Sequence, residues 1–258
     1  MAEFDTYVDR FEHIALTRTD GILELRFHTD GGPLQWTPQA HHEAAAAFRE
    51  IGNDLDNRVV IITGTGAEYS GPRGTEVKIE AHARRAEDWD VVHAHGIELM
   101  DALLRIPAIV IGAVNGPALR HCEIPLMSDI VICSESAEFQ DSGHFPDDLT
   151  PGDGINVLMP LVFGLTRAKY FHLTGQVITA QQALELGLVN EVLPAEQLID
   201  RAWQLARDLV THRPMVLRHT RLLNTHTLRR LMHDLVPYGL ALEGLDQADA
   251  MDRRVSTR

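Results

Sequence analysis

An α/β fold is what the sequence predicts, and three observations carry it. The runs from Arg58 to Thr63 and from Ile109 to Val114 are apolar and rich in β-branched residues, the first stopped by Gly64 and Gly66. Strands buried on both faces of a sheet read this way. Stretches with apolar residues at helical spacing alternate with these runs, and strand–helix alternation points to stacked α/β units. From about Ala195 the character changes, with Leu and Ala recurring every three or four residues. That spacing predicts helix alone, so the chain divides into a core of residues 1–194 and a helical region of residues 195–258.

The elements follow in order. Ile14 to Leu16 and Ile22 to Phe27 alternate apolar with polar residues around Thr19-Asp20-Gly21, the pattern of a β-hairpin. Thr37-Pro38 is a helix start, and the alanine-rich stretch from Ala40 to Ile51 continues it. The buried strand ending at Gly64 comes next. Ala86 to Arg105 has apolar residues at helical spacing, and Pro107 ends that helix before the strand from Ile109 to Val114. Residues 129–139, 174–176 and 188–193 supply further short strands. Helices are expected from about Asn156 to Leu173 and from about Ala180 to Leu186.

Composition narrows the function. Lys and Arg total 23 against 37 Asp and Glu, a formal charge of -14, so nucleic acid and anionic membrane surfaces would be repelled. Two cysteines, Cys122 and Cys133, make no disulfide framework and no paired metal-ligand spacing, which fits a reducing compartment. The opening Met-Ala-Glu-Phe-Asp carries charges where a signal peptide needs an apolar core, and no apolar run approaches the roughly 18 residues of a membrane span. A cytoplasmic protein is expected. His41, His42, His93 and His95 have spacings open to metal ligation but lack an adjoining carboxylate or cysteine cluster, so they read as solvated helix faces. Arg84-Arg85 and Arg229-Arg230 are too short to mark a nucleic-acid site.

The segment from Asn115 to Glu123, Asn-Gly-Pro-Ala-Leu-Arg-His-Cys-Glu, follows a strand and leads to Ser-Asp-Ile-Val-Ile. With Val-Val-Ile-Ile-Thr-Gly-Thr-Gly and the run from Thr174 to Val192, it resembles the crotonase (enoyl-CoA hydratase/isomerase) superfamily. The resemblance implies a spiral of ββα units followed by C-terminal helices that form trimers, which pair in some members as hexamers. The departures are as informative as the matches. Arg120 and His121 stand in the run where the family has three glycines, and the first oxyanion loop, Tyr69 to Glu76, contains Pro72, which has no N–H. One hydratase glutamate keeps its place as Glu123; the other is replaced by His144.

These departures resemble one branch of the superfamily, the β-diketone hydrolases typified by 6-oxocamphor hydrolase, which cleave carbon–carbon bonds without CoA or metal. Trp36-Thr37, the run from His121 to Val131, Phe139-Gln-Asp-Ser-Gly-His-Phe-Pro146, Pro151-Gly-Asp-Gly154 and Gly239 to Leu245 carry the likeness. The branch's functional positions fall on His121, His144, Asp153, Glu243 and Trp36. The implied reaction is retro-Claisen hydrolysis of a cyclic, non-enolisable 1,3-diketone to a keto acid. It needs a base for water, a donor for the attacked carbonyl and a proton for the departing enolate.

On that reading His144 is the base and Asp153 orients it through the other ring nitrogen. His121 donates to the substrate and protonates the enolate, Glu243 holds a ring or participates directly, and Trp36 offers an indole N–H and a flat apolar face. Asp153 also suits a helix cap, and Glu123 is expected to support its loop. No cofactor and no metal are expected; the partners are a small cyclic diketone and further copies of the chain, as a homotrimer or a dimer of trimers. Two alternatives stand beside this: a CoA-thioester hydratase, isomerase or hydrolase with a rebuilt oxyanion hole, and a non-catalytic scaffold of the same fold.

Overall fold

The computed structural model describes residues 3–72 and 86–256. Residues 73–76 of the first oxyanion loop and Arg84-Arg85 therefore lie outside the described residues. The hairpin forms as expected. Strands β1 (Ile14–Thr19) and β2 (Ile22–Phe27) pair antiparallel with Thr19 opposite Ile22. Asp20 and Gly21 make the two-residue loop at φ 53° and 78°, the left-handed pair that a type I′ turn requires. The main sheet then continues in parallel through β4 (Val59–Thr63), β6 (Ile109–Val114), β7 (Ile130–Ser134) and β10 (Glu191–Leu193), in the order β1-β2-β4-β6-β7-β10. Two small pairs stand apart from it: β3 (Leu34–Gln35) with β5 (Ser70–Gly71), and β8 (Glu138–Phe139) with β9 (Ile178–Thr179).

The central strands β4 and β6 are buried on both faces, which is why they are almost wholly apolar. Val60, Ile62, Val110 and Val114 point into the larger core with helices α1 (Pro38–Asn53) and α2 (Ala86–Arg105). Val59, Ile61, Ile109 and Ile111 point the other way, against Leu198, Ala202 and Ala206 of α7 (Ala195–Leu209). This is the two-residue alternation of a strand, with apolar partners supplied on each side. Thr37 caps α1 by accepting from the Ala40 N–H at 3.1 Å, and Pro38 occupies its first position.

Two expectations are corrected in the second half. After α3 (Glu123–Leu126), the helix expected from Asn156 to Leu173 is two helices, α4 (Ile155–Phe163) and α5 (Leu165–Thr174), separated by Gly164 at φ 88°. Residues 174–176 form no strand: Gly175 at φ 62° ends α5 in a left-handed cap, and β9 begins at Ile178. Helix α6 (Ala180–Leu186) opens on a reciprocal cap between Thr179 and Gln182. The tail is helical as expected, with α7 followed by one long helix, α8 (Pro214–Ser256). Among the described residues no helix is long and apolar enough to cross a membrane.

Candidate active site

The loops after β4 and β6 are locked together, and this places His121. Asn115 accepts from the Gly64 N–H at 3.0 Å and donates to the carbonyls of Gly66 and Glu68 at 2.9 and 3.0 Å. Gly116 runs so close to that loop that an added Cβ would lie 2.0 Å from the Ala67 carbonyl oxygen, so glycine is required there. Ser70 then donates to the Arg120 carbonyl at 2.6 Å. The next residue, His121, sits at φ 52°. A residue with a side chain thus adopts a left-handed backbone, an uncommon conformation in which histidine is enriched.

His144 is presented by a tight turn on the other side. Its carbonyl accepts from the N–H groups of Asp147 and Leu149 at 2.7 and 3.1 Å, and Arg120 ties the turn back through a 3.1 Å ion pair with Asp147. Asp153 precedes Gly154 at the start of α4 and makes no side-chain cap there. Glu243 arrives from α8, where Gly239 and Gly152 approach so closely that a Cβ on either would lie within 2.4 Å of the other's backbone. The Gly152 N–H donates to Glu243 Oε1 at 2.7 Å. On the same helical stretch Trp89 of α2 donates to the Leu240 carbonyl at 3.0 Å.

These groups line one cavity of about 550 Å³, with Trp36, His41, His121, His144, Asp153 and Glu243 at its polar end. Trp89, Val92, Leu99, Met100, Leu149 and Leu240 give it an apolar wall, with Asp88, His42 and His95 also in the lining. Trp36 packs against the rings of His41 and His121, with centroids 4.8 and 4.7 Å away, and its indole N–H finds no acceptor among the described residues.

The cavity brings together all five residues singled out from the sequence but pairs them differently. His144 Nδ1 is 2.5 Å from Asp141, not Asp153. Its Nε2 faces Glu243 at 3.4 Å and Asp153 at 3.6 Å. Asp153 lies between the two histidines, 3.3 Å from His121 Nδ1. His121 Nδ1 is also 2.6 Å from Glu123, and its Nε2 is 2.6 Å from His41 Nε2. Sequence reasoning missed Asp141 and His41. The Asp-Ser-Gly-His spacing was the available signal for the first; for the second, it was a position one turn beyond the Thr37 cap, whose carbonyl lies 2.8 Å from His41 Nδ1.

Electrostatics separate the histidines. Burial works against a charged His144, but Asp141 and Asp153, with hydrogen bonds to Asp141 and Glu243, outweigh it and raise its pKa well above 6.5. Asp141 is itself buried, yet the His144 charge and hydrogen bond hold its pKa down. Burial lowers the His121 pKa despite Asp153, and burial followed by the adjoining His121 lowers that of His41 to about 3. Burial and then Asp153 push the Glu123 carboxyl well up. Burial also raises Glu243, although His144 pulls in the opposite direction.

A metal could be considered at His121, Glu123 and Asp153, whose ligand atoms lie within 4.8 Å of one another, or at Glu12, His13 and Glu43. The sequence had shown neither grouping. In the first, the 2.6 Å His121–Glu123 contact is hydrogen-bond distance. In the second, Glu43 Oε2 already accepts from the Glu12 and His13 N–H groups at 3.0 and 2.8 Å. Among the described residues, four N–H groups of the two loops are closed to a CoA thioester oxygen. The N–H groups of Tyr69, Ser70, Ala118 and Leu119 are all bonded to backbone carbonyls, and Pro72 has none.

The family model for enoyl-CoA hydratase/isomerase matches residues 21–235. The chain belongs to this family. Among relatives in the family, a short-chain-enoyl-CoA hydratase of Clostridium acetobutylicum is 30% identical over 221 residues, 81% of each chain. A probable enoyl-CoA hydratase of Mycobacterium tuberculosis is 32% identical over 169 residues; the match spans 62% of this chain and 58% of that protein's own length. Among solved structures, a β-diketone hydrolase from the cyanobacterium Anabaena sp., bound to (S)-3-oxocyclohexyl acetic acid, is 41% identical with a TM-score of 0.90. That likeness covers 95% of this chain and 97% of the other. An enoyl-CoA hydratase/isomerase from Mycobacterium paratuberculosis is 26% identical with a TM-score of 0.86, covering 96% and 99%. The fold is that of the crotonase family, as the sequence resemblance implied.

Proposed function

We propose that this crotonase-family enzyme hydrolyses a carbon–carbon bond of a cyclic, non-enolisable β-diketone by retro-Claisen cleavage. The observation that carries the reading is the facing pair of histidines. His144 is made strongly basic by Asp141, Asp153 and Glu243, and His121 is kept neutral across the same apolar cavity. Two imidazoles pushed in opposite directions can divide proton-transfer work: above its raised pKa His144 is a neutral base, and His121, held toward its neutral form, is an N–H donor.

His144 in its neutral form keeps its Nδ1–H on Asp141 and turns the Nε2 lone pair toward the cavity, where it takes a proton from water. Asp141 replaces Asp153 as the orienting carboxylate. Glu243 and Asp153 stabilise the imidazolium that forms. Water oxygen bonds to one carbonyl carbon, the tetrahedral intermediate collapses, and the carbon–carbon bond breaks toward the second carbonyl as an enolate. His121 donates to that oxygen and supplies a proton to the enolate carbon, while the Trp36 indole N–H holds a carbonyl oxygen. The net change is addition of OH to the acyl carbon and H to the former bridging carbon. A symmetric ring attacked at one carbonyl yields a chiral keto acid. The bound 3-oxocyclohexyl acetic acid of the Anabaena enzyme is a keto acid of this class.

A CoA-thioester activity is the second reading, supported by the named hydratase relatives; against it stands His121 in the run where the family resemblance places glycines. A panel of monocyclic and bicyclic 1,3-diketones, followed by loss of ultraviolet absorbance and appearance of acid, tests the first. Acyl-CoA titration by calorimetry tests the second. Assembly as a homotrimer or dimer of trimers belongs to the same proposal. Leu222, Leu223, Leu235 and Tyr238 of α8 are exposed large apolar residues on this chain, a surface that a further copy would cover.

A further inference from the structure

A chain of three short contacts runs along the polar end of the cavity and back to Glu123, and its protons can be placed from donor and acceptor chemistry. It starts at the Thr37 carbonyl, which only accepts, so His41 Nδ1, 2.8 Å away, carries a hydrogen. His41 is neutral in its buried position, so its Nε2 is a bare acceptor. That atom lies 2.6 Å from His121 Nε2, which must therefore be the donor. A neutral His121 protonated at Nε2 has a bare Nδ1. Glu123 Oε1 stands 2.6 Å from this second acceptor. Two acceptors do not approach so closely without a hydrogen between them, and only the carboxyl can supply it.

We infer that Glu123 is a protonated carboxylic acid in the resting enzyme and that it refills His121 with the proton His121 gives to substrate. Glu123 is 2% exposed beside the Asp153 carboxylate, and both conditions favour its neutral form. It does not line the cavity and acts only through the imidazole. The need for it is chemical. A neutral imidazole that gives up its one N–H proton becomes an imidazolate, a very poor leaving base, unless its other nitrogen is protonated in the same step.

The proton-delivery half of this inference rests on the β-diketone hydrolase reading. As the carbon–carbon bond breaks, its electron pair becomes the enolate. With substrate bound, the His121 Nε2–H exchanges its His41 acceptor for the substrate; that N–H bond then breaks, a C–H bond forms at the enolate carbon, and the Glu123 O–H proton moves to Nδ1. His121 stays neutral with its tautomer inverted, and Glu123 is left as a carboxylate. His144 releases the proton taken from water to solvent, and solvent returns one to the His121–Glu123 pair, restoring the resting tautomer once the cavity empties. Water has then supplied both the OH and the H of the product.

Glu123→Gln separates this role from a structural one. The carboxamide N–H still donates to His121 Nδ1, so the ring keeps its tautomer, but the amide has no proton to release. Expected are a KM within about threefold of wild type and a kcat lower by about 10², with partial recovery in Glu123→Asp. Infrared difference spectra of the substrate-free proteins at neutral pH are expected to show a protonated-carboxyl band in wild type that is lost in Glu123→Gln. Wild-type kcat in the folded variant, or no such band, overturns the inference. Nitrogen NMR of histidine-labelled wild-type protein makes the same decision without a variant. A His121 bare at Nδ1 supports it, and a His121 protonated at both nitrogens beside an ionised Glu123 overturns it. Because the spectra need no turnover, a wild-type protein that cleaves no diketone would sink the functional reading alone.

Discussion

Replacing Asp141 with Asn tests the division of labour around His144. The carboxylate lies 2.5 Å from Nδ1 in a buried pair. With the charges centred roughly 4 Å apart, and an effective dielectric of about 20, its attraction for the imidazolium is about 4 kcal/mol. Asn can still offer a carbonyl to Nδ1–H, and Asp153 and Glu243 remain near Nε2. The loss at the transition state is therefore somewhat smaller, about 3 to 4 kcal/mol, equivalent to a fall in kcat of about 10²–10³. In this mechanism Asp141 acts on the His144 ring rather than on the substrate, so KM should change by no more than about threefold. Initial rates on a bicyclic 1,3-diketone give both constants, with circular dichroism to confirm the fold. A folded Asp141→Asn variant with kcat within about threefold of wild type would refute the assignment and return the orienting role to Asp153.

The same charges predict the pH profile. A His144 pKa raised above 6.5 leaves the ring largely protonated at that pH, and only the neutral ring accepts from water. Activity as kcat/KM should therefore rise with pH through the neutral range and level off above the raised pKa; a profile that is flat or falls over that range contradicts the base assignment. His121→Ala removes a donor used in both ground and transition states, so steady-state kinetics should show KM raised about tenfold as well as a lower kcat; an unchanged KM would place the substrate carbonyl elsewhere. Exhaustive chelation should leave turnover intact, and activity lost to a chelator and restored by one divalent metal would assign catalysis to the His121–Glu123–Asp153 grouping instead.

Much of the fold was legible because local signals agreed with tertiary demands. The strand from Ile109 to Val114 has the boundaries its pattern indicates, and the helix before it ends at Arg105, just ahead of Pro107. The misplaced strand at 174–176 and the uninterrupted helix across Gly164 have one cause. Each turns on a glycine with positive φ, and a glycine's backbone state is not written in apolar periodicity. In the site, family resemblance located the five residues that meet in the cavity. It did not determine which carboxylate each imidazole would face. Asp141 lies three residues from His144 and Asp153 nine, but the pairing depends on how the turn after His144 folds back and where Gly152 meets α8. His41 was read as solvated because its partner is 80 residues away. No spacing rule could join them.

The most direct test of the central claim is hydrolysis of a bicyclic, non-enolisable 1,3-diketone in water enriched in oxygen-18, with the product analysed by mass spectrometry and NMR. The account predicts a ring-opened keto acid in which one oxygen from solvent enters the new carboxyl group per turnover, formed without added CoA or metal and lost in His144→Ala. Failure to open any 1,3-diketone, together with turnover of an enoyl-CoA thioester by the same preparation, would contradict it.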